Sequence, residues 1–389
     1  TARRAAASRG AWFEAKRRAK FAILRPHHEK LMLLKRVAAD RLGGKHPYDP
    51  LLDEYEPGMT VAELDPILGA LKNPLRDIAR RARGRHKPRR ALLADYKNET
   101  ALNSFCEKLA ADMGFDLSRG RIDRSAHPFS SGFHPTDVRF TIRAGGEDLM
   151  DQVLAALHEG GHALYEQGLD PKWWGTTLSR HASLGLHESM SRLWENLVGK
   201  SPEFWRHRWP LLRKAFPSLL KGLKASDAVS HLLCVSPTPV RLESDEITYS
   251  LHILLRYEME KDLVTGALPV KDIPEAWAAK SEGLLGVKPP NDRRGCLQDV
   301  HWSQGYIGYF PTYVLGNLYG AQLYARFRKD TPGWDNQLAK GRLTVLTRWL
   351  GKNVYRHGRR WPAAEIVRRA SGSAPSAAAF LEHLRSRYC

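Results

Sequence analysis

Residues 150–165 read Met150-Asp151-Gln152-Val153-Leu154-Ala155-Ala156-Leu157-His158-Glu159-Gly160-Gly161-His162-Ala163-Leu164-Tyr165. Met150, Leu154, Leu157, Gly161 and Leu164 recur on one helical face, while Asp151, Ala155, His158, His162 and Tyr165 fall on another. The spacing predicts a helix over 148–167 whose apolar stripe faces a core and whose histidine pair faces elsewhere. Two histidines four apart turn their imidazoles to the same side, so both can hold one metal ion, and Glu159 between them is free to act as a base. Glycines inside a helix cost about 1 kcal/mol each relative to alanine, so Gly160 and Gly161 predict close approach of another backbone or of substrate. Gly168 is expected to end the helix.

Hydrolytic zinc sites use three protein ligands and keep one position open for water, so a carboxylate from outside this helix is required. Glu188, in Leu184-Gly185-Leu186-His187-Glu188-Ser189-Met190, heads a second amphipathic pattern that runs on through Trp194 and Leu197. The same position also suits an ordinary acid at a helix N-terminus. Glu195 is the fallback ligand.

The 389 residues, 42% of them hydrophobic, suffice for a large core. The suspicious segments are scattered from His127 to Tyr313, which predicts one catalytic domain over 1–389, with two lobes. Lys and Arg outnumber Asp and Glu by 61 to 42, for a net charge of +19. These charges are spread along the chain without aromatic interleaving or a zinc-finger or RNA-recognition signature, so a solvated basic surface is expected rather than nucleic-acid binding. Cys106, Cys234, Cys296 and Cys389 are far apart and form no CxxC pair, which points to free thiols and a cytoplasmic location. No apolar run reaches membrane-spanning length and no secretory signal is present, so no membrane partner is expected. The Arg-rich start, Thr1 to Arg25, resembles a transit peptide superficially. It reads as helix from about Trp12, and the missing initiator methionine suggests a processed or trimmed chain.

Helical periods are predicted over 10–42 with a break at Pro26, 60–82, 91–113, 184–199, 246–264, 273–285 and 335–352, giving a mainly α protein without repeats. One stretch differs: Val138, Phe140 and Ile142 alternate with Asp137, Arg139, Thr141 and Arg143, before Ala144-Gly145-Gly146. This predicts a strand and turn beside the metal helix, where a strand edge could pair with an extended peptide or form a plain structural hairpin.

Taken together, His127-Pro128-Phe129, Asp137-Val138-Arg139-Phe140-Thr141, the HEGGH segment, His187-Glu188-Ser189, Val240-Arg241-Leu242-Glu243-Ser244-Asp245-Glu246, and Gly295-Cys296-Leu297-Gln298-Asp299-Val300-His301-Trp302 continuing into Gly308-Tyr309-Phe310-Pro311-Thr312-Tyr313 resemble the carboxypeptidase Taq family of metallocarboxypeptidases. The resemblance implies a two-lobed helical metallopeptidase with a deep active-site groove and a small hairpin or sheet beside the metal helix. It also implies homodimers, and peptide substrates with a free C-terminus shortened by single residues. By motif position His158, His162 and Glu188 become ligands to zinc, with cobalt as the other candidate ion, and Glu159 the general base. Arg241 becomes the candidate partner of the substrate carboxylate, since a guanidinium can hold a carboxylate through two parallel bonds. Its alternative is a salt bridge to Glu243 or Asp245.

His301 and Tyr309 are candidates to stabilise the oxyanion, or else packed core residues. Arg139 and Gln298 are candidates for substrate contact or for orienting the ligands. Ser244 stands where the resemblance leads one to expect alanine, and Ile142-Arg143-Ala144 where a second threonine and a tyrosine are usual. The resemblance implies a short form, or a truncated chain, without the N-terminal helices of long members. A related helical zinc oligopeptidase or dipeptidase is the second reading, and a basic nucleic-acid-binding protein the third.

Overall fold

The computed structural model describes residues 2–88, 98–143 and 148–389. The chain divides into two compact units, the first formed by Thr1–Arg83, Val235–Val314 and Leu384–Cys389, the second by Gly84–Cys234 and Leu315–His383. Both are built mainly of helices.

In the first unit, Ala2–Arg18, Phe21–Leu42, Val61–Ala82, Glu246–Thr265 and Ile273–Leu285 are helices. Thr60 and Glu63 close a reciprocal capping box at the start of Val61–Ala82. Glu246–Thr265 is buried on nearly every face, as suits a helix enclosed by others. The Arg-rich start is an integral helix: Trp12 and Ala15 are buried, and the Trp12 indole donates to the Leu297 carbonyl at 3.0 Å. The break expected at Pro26 lies earlier, at Ala19 and Lys20. Ala19 adopts a φ of 53°, the one positive φ on a non-glycine among the described residues. Pro26 is carried inside Phe21–Leu42, at the cost of one backbone hydrogen bond.

The second unit holds the only sheet among the described residues, three strands in the order β1 (Gly120–Ser125), β3 (Asp137–Arg143), β2 (Ser130–His134). β1 runs parallel to β3 with Ile122 opposite Phe140, and β2 antiparallel with Ser131 opposite Arg139. Val138, Phe140 and Ile142 are buried as their alternation requires. The sheet is thus larger than a hairpin, because β1 and β2 are polar strands without the alternating pattern. The turn expected at Ala144-Gly145-Gly146 lies outside the described residues, as do 91–97 of the helix expected over 91–113. The described part of that helix is Glu99–Met113, with Asn98 as its cap.

Two further expectations change in detail. The 184–199 segment is α-helical over Leu184–Arg192 and then widens to a π-helix over Leu193–Val198. The 335–352 segment splits into Trp334–Ala339 and Thr344–Asn353, because Gly341 turns the chain with a φ of 74° and leaves room for the His207 imidazole. Pro311–Asp330 is a 20-residue helix, of which sequence reading had singled out only the start, up to Tyr313.

Candidate metal centre

The helix carrying HEGGH spans Leu149–Gly168, and its first turn is closed by Asp148, whose Oδ1 accepts from the backbone N–H of Met150 at 2.8 Å and of Asp151 at 3.3 Å. Its apolar stripe is buried, whereas His158 and His162 keep partly accessible side chains of 23% and 12%. Gly161 has the reason anticipated for it: a Cβ there would lie 2.6 Å from the Met190 carbonyl oxygen and 2.8 Å from the Ser191 Cα. The backbone of Leu184–Arg192 therefore comes close enough to hand Glu188 across to the two histidines. Gly160 faces only the flexible end of Met113. Gly168 is the last residue of the helix, where the stop was expected. It is not in the left-handed region, but a side chain there would strike the Tyr355 ring at 2.5 Å.

A third backbone supports the carboxylate. A Cβ at Gly316, on Pro311–Asp330, would come within 2.6 Å of the Glu188 Cγ, and one at Gly320 within 3.0 Å of the Ser189 carbonyl oxygen. Glycine at both positions lets this helix lie directly behind Glu188. Sequence reading did not single out either residue, although the i, i+4 spacing of two glycines on a helix face is a visible mark of close packing.

His158 Nε2 lies 3.9 Å and His162 Nε2 3.5 Å from Glu188 Oε2, and the three donors all fall within 4.8 Å of one another. Donors around a tetrahedral ion with bonds near 2.1 Å stand about 3.4 Å apart, so a zinc-sized ion fits after sub-ångström adjustment. The donor chemistry fits as well. Glu195 Oε2 lies 2.8 Å from His158 Nδ1 and is itself paired with Arg192 NH1 at 2.9 Å. A proton held on Nδ1 leaves the Nε2 lone pair aimed at the ion, the carboxylate–histidine arrangement of metal sites. Glu195, the fallback ligand, thus sits behind His158. His162 Nδ1 is buried without a partner, and its ring is held instead by stacking on His187, with centroids 4.3 Å apart and planes 14° apart.

The electrostatics of the polypeptide alone favour a cation. Burial would raise the Glu188 carboxyl, but His158, His162 and Arg192 outweigh it and hold the group at about 2. Burial would lower His158, yet Glu188 and Glu195 raise it to about 9. Glu159 is 8% exposed, and desolvation pushes it up to about 7 despite His158 beside it. A carboxyl poised near neutrality next to a cation site can take up and return a proton.

One turn beyond His162, Glu166 forms a second cluster that sequence reading missed. Its Oε1 lies 3.0 Å from both His181 Nδ1 and His187 Nε2. Burial opposes ionisation of Glu166, but the two imidazoles hold it well below the usual carboxylate range.

The other candidates lie elsewhere. Arg241, 5% exposed, directs Nε and NH2 to Asp299 Oδ1 at 3.1 and 2.8 Å, and NH1 to the Tyr249 hydroxyl at 3.0 Å. Glu243 pairs instead with Arg294, and Asp245 caps Glu246–Thr265. Asp299 also accepts from Arg256 Nε at 2.8 Å. Although burial would raise it, the two guanidiniums hold Asp299 far below the usual carboxylate range. Gln298 is occupied in the same network, accepting from the Arg241 N–H at 2.7 Å and donating to the Pro239 and Gly295 carbonyls at 3.0 Å. His301 Nε2 lies 3.3 Å from the Tyr313 hydroxyl, and burial lowers this histidine to about 4. Tyr309 packs edge-on against Tyr55 and Tyr313. These residues belong to the first unit, and the metal donors to the second. Arg139, on the exposed face of β3, donates from Nε and NH2 to the two carboxylate oxygens of Asp137, at 2.8 and 2.9 Å.

Comparison with known proteins bears on the family and the fold. The model of the carboxypeptidase Taq (M32) metallopeptidase family matches residues 1–388. The chain is 39% identical over 388 residues to thermostable carboxypeptidase 1 of Thermus thermophilus, covering 97% of this chain and 76% of the relative. It is 34% identical over 380 residues to carboxypeptidase 1 of Bacillus subtilis, with the same coverage of each, 97% and 76%. The crystal structure of the M32 carboxypeptidase from Deinococcus radiodurans superposes with a TM-score of 0.96 at 38% identity, covering 100% of this chain and 78% of that one. With a family model spanning it nearly end to end and relatives that share this helical fold, the chain belongs to the carboxypeptidase Taq (M32) family of metallopeptidases.

Proposed function

We propose that the protein is a metal-dependent carboxypeptidase that removes single residues from the C-termini of peptides. The convergence of His158, His162 and Glu188 around one point, with the buried carboxyl of Glu159 beside it, carries this reading. Zinc is the proposed ion, since two imidazoles and a carboxylate match its preference, and cobalt suits the same donors. When bound, such an ion acidifies a water and polarises the scissile carbonyl. Glu159 takes the proton of the attacking water and delivers it to the departing amine. Glu195 keeps the Nδ1 proton of His158 in place throughout.

The exopeptidase part of the proposal rests on the network around Asp299. Two guanidiniums, Arg241 and Arg256, share this one carboxylate, so these three groups together carry an excess of positive charge. That charge favours a substrate carboxylate, and Arg241 is the residue proposed to meet it. His301 and Tyr309 are proposed as donors to the oxyanion. Gln298 supports Arg241 through its backbone, and Arg139 is proposed to order the strand beside the metal helix. A cytoplasmic location fits the absence of any disulfide among the four cysteines. Homodimerisation follows from the resemblance and is checked by light scattering.

Digestion of peptides with free or amidated C-termini, followed by mass spectrometry, tests the function. Free-acid peptides are expected to shorten one residue at a time, and amides to be cut poorly. Internal cleavage, or equal rates on acid and amide, would favour the oligopeptidase reading.

A further inference from the structure

Glu166 on Leu149–Gly168, His187 on Leu184–Arg192 and His181 in the loop before it converge as closely as the three catalytic donors do. Glu166 Oε1 lies 3.0 Å from His181 Nδ1 and 3.0 Å from His187 Nε2, and the three donor atoms lie within 4.8 Å of one another. The two rings are 4.4 Å apart and tilted by 46°, so they face the shared oxygen from different directions. The other oxygen of Glu166 lies against the backbone of β2, where a Cβ on Gly132 would be 2.5 Å from it. Glycine at this position leaves the carboxylate room to turn. The cluster is reached from solvent: all three residues line a cavity of about 850 Å³ whose wall includes Ser131, Phe133 and Arg180. Their side chains retain 14%, 26% and 15% exposure.

We propose that Glu166, His181 and His187 form a second site for a divalent transition-metal ion, separate from the catalytic donors and opening on this cavity. Two imidazoles and one carboxylate select zinc, cobalt or nickel over calcium or magnesium, which need six or more oxygen ligands. Separations of 3.0 Å must open to about 3.4 Å for a tetrahedral ion with bonds near 2.1 Å, a movement the rotatable Glu166 carboxylate can supply. Solvent or a ligand in the cavity completes the coordination. His187 stacks on His162 with ring centroids 4.3 Å apart, so ions bound at the two sites would repel each other. The second ion therefore binds more weakly and fills after the first.

Metal-stripped full-length protein brought to equilibrium by dialysis against several-fold excess zinc or cobalt, with metal per chain taken from the difference across the membrane, tests this. Two ions are expected for the wild type, and one each for His181→Ala and His158→Ala, with distinct cobalt absorption spectra for the two single-ion forms. A wild type that saturates at one ion, or His181→Ala that still takes two, would overturn the proposal. Anomalous diffraction from zinc-soaked wild-type crystals makes the test without any substitution. A peak bonded to Glu166, His181 and His187 is expected, and peaks only at the catalytic donors or on the surface would overturn it. Peptide hydrolysis at one equivalent of metal reports on the catalytic reading alone, so either idea can fail without the other.

Discussion

Glu159 is a carboxyl that burial holds near neutrality, flanked by two histidines whose free nitrogens point at Glu188. Glu159→Gln keeps shape and loses only the ability to accept a proton. Turnover is expected to fall on the order of 10²- to 10⁴-fold, with metal content and thermal midpoint unchanged. Activity within tenfold of wild type would remove Glu159 from the role of base. Glu188 and Glu195 separate by the same logic. Glu188→Ala is expected to empty the site, whereas Glu195→Gln loses the clamp on His158 Nδ1 and weakens metal affinity by about 10- to 100-fold. Competition with a chelator measures both. If Glu195→Gln empties the site and Glu188→Ala does not, the assignment of ligand and support is reversed.

At the level of elements, the site depends on how near one backbone comes to another. A Cβ added at Gly161 would sit 2.6 Å from a carbonyl oxygen on the neighbouring helix, while one at Gly160 would meet only the end of Met113 at 3.1 Å. Gly161→Ala is therefore expected to cost about 1–3 kcal/mol by overpacking. Gly160→Ala is expected to be near neutral, since Met113 can swing aside and alanine gains about 1 kcal/mol of helix propensity. Urea unfolding of the pair decides the matter, and equal effects would contradict the contact. A second element carries a pH dependence. His28, on Phe21–Leu42, is 1% exposed, with neither ring nitrogen hydrogen-bonded and its ring stacked on Trp302 at 6.0 Å. Burial lowers it from 6.5 to about 4. A histidine depressed in the folded state contributes stability that is present above its unfolded value and is lost as pH falls. About 3 kcal/mol should thus disappear as pH falls from 6.5 to 4. His28→Leu should flatten that part of the stability curve, and an unchanged slope would assign the acid lability elsewhere.

For the whole molecule, the question is whether the charge gathered at Asp299 serves the substrate. Arg241→Ala leaves Asp299 with Arg256 only, and breaking a buried pair is expected to destabilise the fold by a few kcal/mol. The ratio of kcat/KM on free-acid and amidated peptides, measured on one preparation, cancels that loss. The substitution is expected to lower this ratio about a hundredfold, the value of a charge-assisted pair. An unchanged ratio would make Arg241 a purely structural partner of Asp299.

The sequence alone was enough for what is written in local spacing. The i, i+4 histidines, the alternation of Val138, Phe140 and Ile142, and the helix over 273–285 all follow from neighbours within one or two turns, where the backbone period dictates which side chains share a face. Even the need for a close neighbour at Gly161 could be read, though not which neighbour. Tertiary structure decided the rest. β1 and β2 are polar strands that exist because β3 offers both of its edges, and Ala19 bends the chain where Pro26 seemed the stronger breaker. Glu195 lies behind His158 rather than in front of it, and Arg241 shares Asp299 with Arg256 across more than 40 positions of chain. Glu166 gathers His181 and His187 because two helices and a loop pack together. Such meetings depend on which surfaces bury against each other, and no periodicity within a single segment records that choice.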